Sequence, residues 1–414
     1  MRGKYGLLGE HLTHSFSPEI HRRLGTGDYR LYPMAWEDAE KFIRTGDWSG
    51  LNVTVPYKKR IYGLLDEYSD SARATGSVNT VVRRKDGRLF GDNTDVDGFL
   101  SLVKRNGFSM DGKILILGSG GASCAATEAL ARLGKKALVI SRTGENNYTN
   151  LERHRDASWI INTTPVGMFP SVGEKPVSLH FFPELRGVID LIYNPFRTSL
   201  LLEAEEKGIP YANGLDMLVE QARRSEEIFR DTPIPEKVTG EVLRWLRYSV
   251  LNLVLIGMPG SGKSALASRL SALTGREVLD TDRLIEKKTG QSAEKWLREK
   301  GESAFRAEES LVLREAGKRT GVILSCGGGA VLRPENRSYL RENGWVVYVR
   351  RDLSSLSTRH RPLSEETSPE EMLSVREPLY RSFADASVEN DRSVNECAAQ
   401  ILDLFRLAAE KEFL

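Results

Sequence analysis

Two segments of this chain join a short apolar strand to a glycine-rich turn and then to a helix of small residues. They read KILILGSGGAS from position 113 and LNLVLIGMPGSGKS from position 251. Such a turn lets backbone N–H groups and a helix N-terminus face a phosphate group, and it forms where a strand of an α/β sheet ends. Two such turns in 414 residues predict two nucleotide-binding units, because one domain usually takes about 100–200 residues.

The rest of the chain favours the α/β fold class with largely parallel sheets. Short β-rich runs such as GLNVTVP, SWIINTTP and WVVYVR alternate with helix-like stretches, one of them at 123–133. An amphipathic stretch at 235–246 has apolar residues at helical spacing and precedes the second strand. We therefore place a boundary at about residues 247–249 and expect a short, polar link there.

Charge and cysteine content narrow the functional classes. The 59 basic and 57 acidic residues create no general field for a nucleic acid or an anionic membrane. Cys124, Cys326 and Cys397 are distant from one another and odd in number, which suits a reducing compartment rather than a disulfide framework. Because no apolar run reaches about 18 residues and no leader pattern is visible, we expect a cytoplasmic protein. Homo-oligomerisation is left open.

The first glycine-rich turn predicts a dinucleotide site. Gly118, Gly120 and Gly121 stand where the strand becomes a helix, so backbone N–H groups there could hold a pyrophosphate. The next strand ends in Ser141, Arg142 and Thr143, where a NAD site would carry an acidic residue for the ribose. Arginine at this place favours a 2′-phosphate and therefore NADP.

A lysine and an aspartate upstream are candidates for proton transfer. Lys58 and Asp95 each follow a strand-like run, at places where side chains converge on a cleft. A lysine with a carboxylate partner can donate a proton to a carbonyl oxygen during ketone reduction. Spacing alone favours a surface ion pair over this role.

Taken in order, the segments HSFSP, NVTVPYK, SVNT, GDNTD, GSGGAS, SRT, NTTPVGM and NGLDMLVEQA resemble shikimate dehydrogenase over nearly all of residues 1–247. The resemblance implies that Lys58 and Asp95 form the catalytic pair and also touch the substrate. It implies further substrate contacts from Ser15, Ser17, Thr54, Asn79, Tyr193 and Gln221. It also implies further cofactor contacts from Ser119, Ala122, Ser141, Thr143, Leu191 and Gly214. It also implies a substrate domain from 1–100 with 214–247 and a Rossmann NADP domain at 101–213. A quinate dehydrogenase that uses NAD and a regulatory protein with vestigial sites are the alternatives.

The second glycine-rich turn, GMPGSGKS, matches the phosphate-binding loop of P-loop proteins. Nucleotide contacts would come from Gly260, Ser261, Gly262, Lys263, Ser264 and Ala265. Lys263 would neutralise the β- and γ-phosphates, and Ser264 would bind Mg²⁺. The next strand ends in LDTD, which places Asp280 near the metal and Asp282 where a carboxylate can accept a hydrogen bond from the hydroxyl that receives the phosphoryl group. The loop by itself leaves GTPases, nucleotide kinases and small-molecule kinases open.

Further motifs make the region from about Leu251 to the C-terminus resemble shikimate kinase. They are GESAFRAEE with Arg306, the triple glycine at 327–329, HRPL with Arg361, and REPLY with Arg376. The resemblance implies a P-loop kinase domain at 248–414 in which Asp282, Arg306, Gly328 and Arg376 hold shikimate. It also implies that Arg361 closes over ATP and acts in catalysis with Lys263 and Asp282. The two resemblances together imply NADPH-dependent reduction of 3-dehydroshikimate, followed by phosphorylation of shikimate to shikimate 3-phosphate.

Overall fold

Three β-sheets follow one another along the chain in the computed structural model, which describes residues 4–12, 15–356 and 368–410. The first sheet has the order β2-β1-β3-β5-β6-β4. Its strands are β1 (Tyr5–Gly9), β2 (Tyr29–Pro33), β3 (Gly50–Val53), β4 (Glu67–Tyr68), β5 (Thr80–Arg83) and β6 (Leu89–Asp92). This sheet is mixed, because β5 runs antiparallel to both β3 and β6.

The second and third sheets are parallel throughout. The second has the order β11-β10-β9-β7-β8, with β7 (Lys113–Leu117), β8 (Ala137–Ile140), β9 (Ala157–Asn162), β10 (Gly187–Asp190) and β11 (Tyr211–Ala212). The third has the order β13-β14-β12-β15-β16, with β12 (Asn252–Ile256), β13 (Val278–Asp280), β14 (Ile323–Ser325), β15 (Gly344–Arg350) and β16 (Ala386–Glu389). The predicted α/β fold class is confirmed.

Helices cover these sheets. Those before the third sheet are α1 (Ser17–Leu24), α2 (Trp36–Thr45), α3 (Asp70–Thr75), α4 (Asp95–Arg105), α5 (Gly121–Arg132), α6 (Ser199–Glu206), α7 (Leu215–Arg230) and α8 (Glu236–Val250). Those that follow are α9 (Lys263–Thr274), α10 (Thr281–Thr289), α11 (Ala293–Lys300), α12 (Glu302–Gly317), α13 (Glu335–Arg341), α14 (Pro369–Phe383) and α15 (Val394–Glu410). Helix α7 packs against α1 and α4, and so returns the chain from the second sheet to the first.

The two glycine-rich turns lie where the sequence predicts them. Strand β7 is buried and passes into α5 through Gly118, whose φ of 104° belongs to the left-handed region that favours glycine. Strand β12 is buried on all five residues and passes into α9 through Gly262, whose φ is 94°. Each turn therefore sits at the carboxyl end of a central parallel strand, where ligands of open α/β sheets bind.

The prediction of a polar link at about residue 248 was wrong. Helix α8 runs without a break from Glu236 to Val250, and Asn252 already begins β12. Arg247 is buried and forms an ion pair of 3.0 Å with Asp216 of α7. The apolar residues of α8 belong to one continuous core with those of α7, β12 and α15. Sequence spacing signalled the helix, but it did not show that the charged residue Arg247 would be buried with its apolar face.

Among the described residues, no helix combines the length and apolar character needed to cross a membrane. The three cysteines are free thiols, and Cys326 and Cys397 are buried.

Candidate active sites

A cavity of about 240 Å³ lies between the first and second sheets. It contains all eight residues that the sequence predicts to touch the dehydrogenase substrate, namely Ser15, Ser17, Thr54, Lys58, Asn79, Asp95, Tyr193 and Gln221. These residues come from widely separated parts of the chain. Tertiary folding therefore brings the predicted set together in one place.

The ion pair between Lys58 and Asp95 is the most polar feature of this cavity. Lys58 Nζ lies 2.6 Å from Asp95 Oδ2, and the two side chains are 23% and 9% exposed. The other carboxylate oxygen, Oδ1, accepts a hydrogen bond of 2.9 Å from Asn79 Nδ2. Because both oxygens of Asp95 are engaged, the ammonium group of Lys58 is held at a fixed place beside the cavity.

A buried cluster of hydroxyl groups fixes the side chain of Asn79 through its Oδ1 atom, whereas its Nδ2 atom donates to Asp95. The backbone N–H of Thr94 and the hydroxyl of Thr80 donate to Asn79 Oδ1, at 2.8 and 3.0 Å. The hydroxyl of Ser225 lies 2.7 Å from that of Thr80, and Asn52 donates to Ser225 at 2.8 Å. Sequence reasoning missed Asn52 and Ser225. Asn52 lies inside the NVTVP motif and Ser225 stands one helical turn after Gln221, and these positions are the only sequence signals for them.

The predicted cofactor residues divide into two groups. Ala122, Leu191 and Gly214 line the cavity, and Gly120 and Gly121 have open space where a Cβ atom would lie. Gly118, Ser119 and these two glycines form the turn between β7 and α5, so their backbone amides suit a pyrophosphate.

Ser141, Arg142 and Thr143 follow β8, the edge strand of the second sheet, and lie outside the cavity. Arg142 is exposed there. A cationic side chain at this place fits a phosphate on the ribose, so the residues present are compatible with NADP(H).

A second cavity, of about 740 Å³, lies at the carboxyl end of the third sheet. Of the predicted kinase residues, it contains Gly260, Lys263, Ser264, Asp280, Asp282, Arg306, Gly328 and Arg376. Ser261, Gly262 and Ala265 belong to the adjoining turn and the start of α9 without lining this cavity. Arg361 lies outside the described residues.

The three consecutive glycines form one wall of the second cavity because side chains would not fit there. A Cβ atom on Gly329 would lie 2.1 Å from the guanidinium carbon of Arg306, and one on Gly328 would lie 2.6 Å from the ring of Pro259. The carbonyl of Gly328 accepts hydrogen bonds from Arg376 at 3.2 Å and from the hydroxyl of Tyr380. The glycine segment thus brings two arginines close to its backbone.

Arg306 is anchored by a carboxylate that sequence reasoning missed. Its Nη1 donates to Glu309 Oε2 at 2.7 Å, and the two side chains are 8% and 1% exposed. Glu309 follows Arg306 by three residues on α12, which is the spacing of side-chain pairs on a helix. Arg306 Nε has no partner within the described structure, so a donor remains for an anionic ligand.

Burial shifts the pKa values of both Lys263 and Asp282, in each case toward the neutral form of the group. Burial lowers the pKa of Lys263 to about 8, and its Nζ donates to the carbonyls of Gly257 and Met258, each at 2.9 Å. Desolvation, followed by the nearby Asp280 carboxylate, raises the pKa of Asp282.

The donor set beside Lys263 fits a magnesium ion. Ser264 and Asp280 line the same cavity, and hydroxyl and carboxylate oxygens are the ligands that Mg²⁺ prefers. Asp280 Oδ1 caps α10 by accepting from the backbone N–H of Asp282 and of Arg283. Its second oxygen remains for an ion.

Comparisons with known proteins find relatives for both halves of the chain. The family model described as the shikimate dehydrogenase substrate binding domain matches residues 7–81, and the shikimate kinase model matches residues 259–406. A shikimate dehydrogenase (NADP(+)) from Clostridium beijerinckii is 34% identical, over 57% of this chain and 94% of its own length.

Two solved structures are similar to the first half. The shikimate 5-dehydrogenase of Thermus thermophilus, in complex with NADP(H) and shikimate, is 31% identical with a TM-score of 0.53, over 58% of this chain and 97% of that one. A chorismate mutase/shikimate 5-dehydrogenase fusion protein from Clostridium acetobutylicum is 35% identical with a TM-score of 0.55, over 59% of this chain and 97% of that one. The chain therefore belongs to the shikimate dehydrogenase family and carries a shikimate kinase domain C-terminal to the dehydrogenase. It is a bifunctional enzyme of the shikimate pathway.

Proposed function

We propose that the first cavity reduces 3-dehydroshikimate to shikimate with NADPH, and that the second phosphorylates shikimate to shikimate 3-phosphate with ATP and Mg²⁺. The observation that carries the proposal is the Lys58–Asp95 pair, at 2.6 Å, inside a cavity lined by all eight predicted substrate residues. The second cavity supports the proposed phosphorylation, because it combines a phosphate-binding loop with carboxylates and arginines suited to an anionic polyol.

In the first site the lysine acts as the general acid. When bound, NADPH supplies a hydride to the ketone carbon. Lys58 donates a proton from Nζ to the carbonyl oxygen, and Asp95 keeps the ammonium group oriented toward that oxygen. Asn79 holds the other oxygen of Asp95, so the carboxylate does not rotate away. Ser15, Ser17 and Gln221 line the cavity and would bind substrate hydroxyl and carboxylate groups.

In the second site the work is mainly electrostatic. Lys263 neutralises the phosphates of ATP, and Asp282 accepts the proton of the attacking hydroxyl. Arg306 and Arg376 bind the substrate carboxylate as planar donors, with Gly328 between them. Ser264 and Asp280 would hold Mg²⁺, which would neutralise charge on the β- and γ-phosphates. By its resemblance to the kinase family, Arg361 would add positive charge at the γ-phosphoryl group.

One assay tests both reactions. Purified full-length protein is given 3-dehydroshikimate, NADPH, ATP and Mg²⁺, each is omitted in turn, and the products are identified by mass. We expect shikimate 3-phosphate from the complete mixture and shikimate alone when ATP or Mg²⁺ is left out. Formation of shikimate 3-phosphate without NADPH would contradict the proposed order of reactions.

We further infer a dehydrogenase unit at 1–247 and a kinase unit at 248–414, working in the cytoplasm. The separate sheets at 5–92, 113–212 and 252–389 support this division. The free thiols of the three cysteines are in keeping with a reducing compartment.

A further inference from the structure

The loop between β10 and α6 connects the dehydrogenase cavity to the kinase domain. Residues 191–198, here called the Tyr193 loop, begin with Leu191 and Tyr193, which line the first cavity. They end at Thr198, which caps α6. The intervening Phe196 and Arg197 are buried against the kinase domain. The same eight residues therefore serve a dehydrogenase site at one end and an interface at the other.

We propose that the kinase segment 341–344, here called the 341–344 turn, is a positioning element for the dehydrogenase, acting through Phe196 and Arg197 on the Tyr193 loop. This inference rests on the proposed reduction in the first cavity. It assigns the kinase domain a second task besides phosphoryl transfer, since the kinase backbone holds the loop that carries Tyr193 to the dehydrogenase substrate.

Arg197 makes three hydrogen bonds to the 341–344 turn. Its backbone N–H donates to the carbonyl of Glu342 at 2.7 Å, and its Nε donates to the carbonyl of Arg341 at 3.0 Å. Its Nη2 donates to the carbonyl of Gly344. The side chain is 5% exposed, and Nη1 also reaches Glu205 Oε1 at 3.2 Å. Two of these carbonyls, those of Arg341 and Glu342, lie at the C-terminus of α13, where a cation is favoured by the helix dipole.

Phe196 is held on both sides of the interface. Its backbone N–H donates to Asn343 Oδ1 of the turn at 2.8 Å, and its ring belongs to the core shared with α8, β15 and α15. Its carbonyl accepts from Asn213 Nδ2 at 2.9 Å. Asn213 precedes Gly214, whose absent Cβ lets Leu191 approach the cavity wall. The loop, the cavity wall and the kinase turn thus form one connected set of hydrogen bonds.

The 341–344 turn is itself fixed by the kinase core. The carbonyl of Asn343 accepts from the backbone N–H of Asn252 at 2.7 Å, and its Nδ2 donates to the carbonyl of Gly317 at 3.1 Å. A Cβ atom on Gly344 would lie 2.0 Å from the carbonyl of Leu340, so the turn is tight. A loop attached to this turn loses conformational freedom, and a preorganised loop binds substrate more tightly.

The test compares variants of the full-length protein. In Arg197→Ala we expect the KM for 3-dehydroshikimate to rise at least about tenfold, because small displacements of binding residues weaken productive placement strongly. The kcat of reduction should change far less, since Lys58 and Asp95 are held by other elements. The kinase constants should stay within about twofold and serve as the check on folding, and Arg197→Lys should recover part of the affinity.

Arg337→Ala is the matched control. It removes an ion pair with Glu206 across the same interface, away from the Tyr193 loop, and should leave both activities unchanged. A double-mutant cycle with Tyr193→Phe separates this role from a merely structural one. If Arg197 acts through Tyr193, Arg197→Ala should raise the KM for 3-dehydroshikimate little further once the Tyr193 contact is lost. An unchanged KM in both Arg197 variants, or equal loss in both halves, would overturn the inference. Failure of the wild-type protein to reduce 3-dehydroshikimate would instead refute the proposed function.

Discussion

Lys58 is followed directly by a second lysine, and this makes its role testable against a neighbour of the same type. Lys58→Ala removes the proposed proton donor, so the rate of reduction should fall at least about a hundredfold, the usual scale of general acid–base catalysis. Phosphorylation of added shikimate should stay near the wild-type rate. Lys59→Ala, which changes an exposed side chain, is the control and should affect neither rate. Equal loss of both activities in Lys58→Ala would contradict a two-site enzyme.

The lowered pKa of Lys263 predicts a pH dependence of ATP binding. In the free protein this lysine loses its proton as the pH rises through about 8. Bound phosphates favour the charged form and raise the pKa, so binding at pH 8.5 should take up protons and the KM for ATP should rise above pH 8. Calorimetry in buffers of different ionisation enthalpy measures that uptake. At pH 6.5 the lysine is protonated in both states, and the heat should not depend on the buffer through this group.

Arg142 is the single residue expected to select NADP over NAD. It is exposed and follows the C-terminal end of the edge strand β8, where the ribose of a bound dinucleotide would lie. Arg142→Ala should lower kcat/KM for NADPH more than for NADH. Arg155→Ala, another exposed arginine of the same region, should leave the ratio unchanged. If the ratio of the two kcat/KM values is the same in Arg142→Ala and wild type, Arg142 does not bind the 2′-phosphate.

At the scale of elements, the glycine segment after β14 and helix α12 form one substrate-binding unit. Gly329→Ala would place a methyl group against the Arg306 guanidinium, which must then move from its place beside Glu309. We expect the KM for shikimate to rise at least about tenfold and the affinity for ATP to change little. Steady-state kinetics with each substrate varied in turn measures the two effects.

Gly240→Ala in α8 is the control for that substitution, since its methyl group would meet only an Arg244 side-chain atom, at 3.7 Å. A rise in the KM for ATP as large as that for shikimate would show that the whole cavity had shifted, contrary to the expected local effect.

At the scale of the whole molecule, the contact between the two halves contains a buried carboxyl group whose charge is unfavourable. Burial raises the pKa of Glu342 to about 7, while Arg314 and Lys318 offset part of that effect. In the unfolded chain this carboxyl titrates near 4.5. The unfolded state therefore gives up its proton first, and stability falls as the pH rises from about 4.5 to 7, by at most about 3 kcal/mol.

Glu342→Gln removes that titration. We expect its Tm to exceed that of the wild-type protein at pH 8, with a much smaller difference at pH 5, where the native carboxyl is protonated. Thermal unfolding of both proteins at the two pH values measures this. A difference that is the same at both pH values would mean that Glu342 acts through packing and not through its charge.

Short motifs in the sequence by themselves predicted the fold class and the two kinds of nucleotide site. Strand, glycine turn and helix follow one another within about a dozen residues, so local spacing was enough to predict both phosphate-binding turns and the α/β class. The resemblance assigned Lys58, Asp95 and their companions, and the structure brings these residues into one cavity. Their individual roles stay predictions.

Only the tertiary structure decided how the two halves meet and what supports each site. Glu309 and Ser225 act through partners that depend on how elements pack, and no local pattern marks them as functional. The expected polar link failed for the same reason: a sequence shows that one face of α8 is apolar, but not that the charged Arg247 finds a buried partner in Asp216. Likewise, Arg197 is one more charged residue in the sequence, and it becomes a contact between two enzymes only because folding places the end of α13 against it.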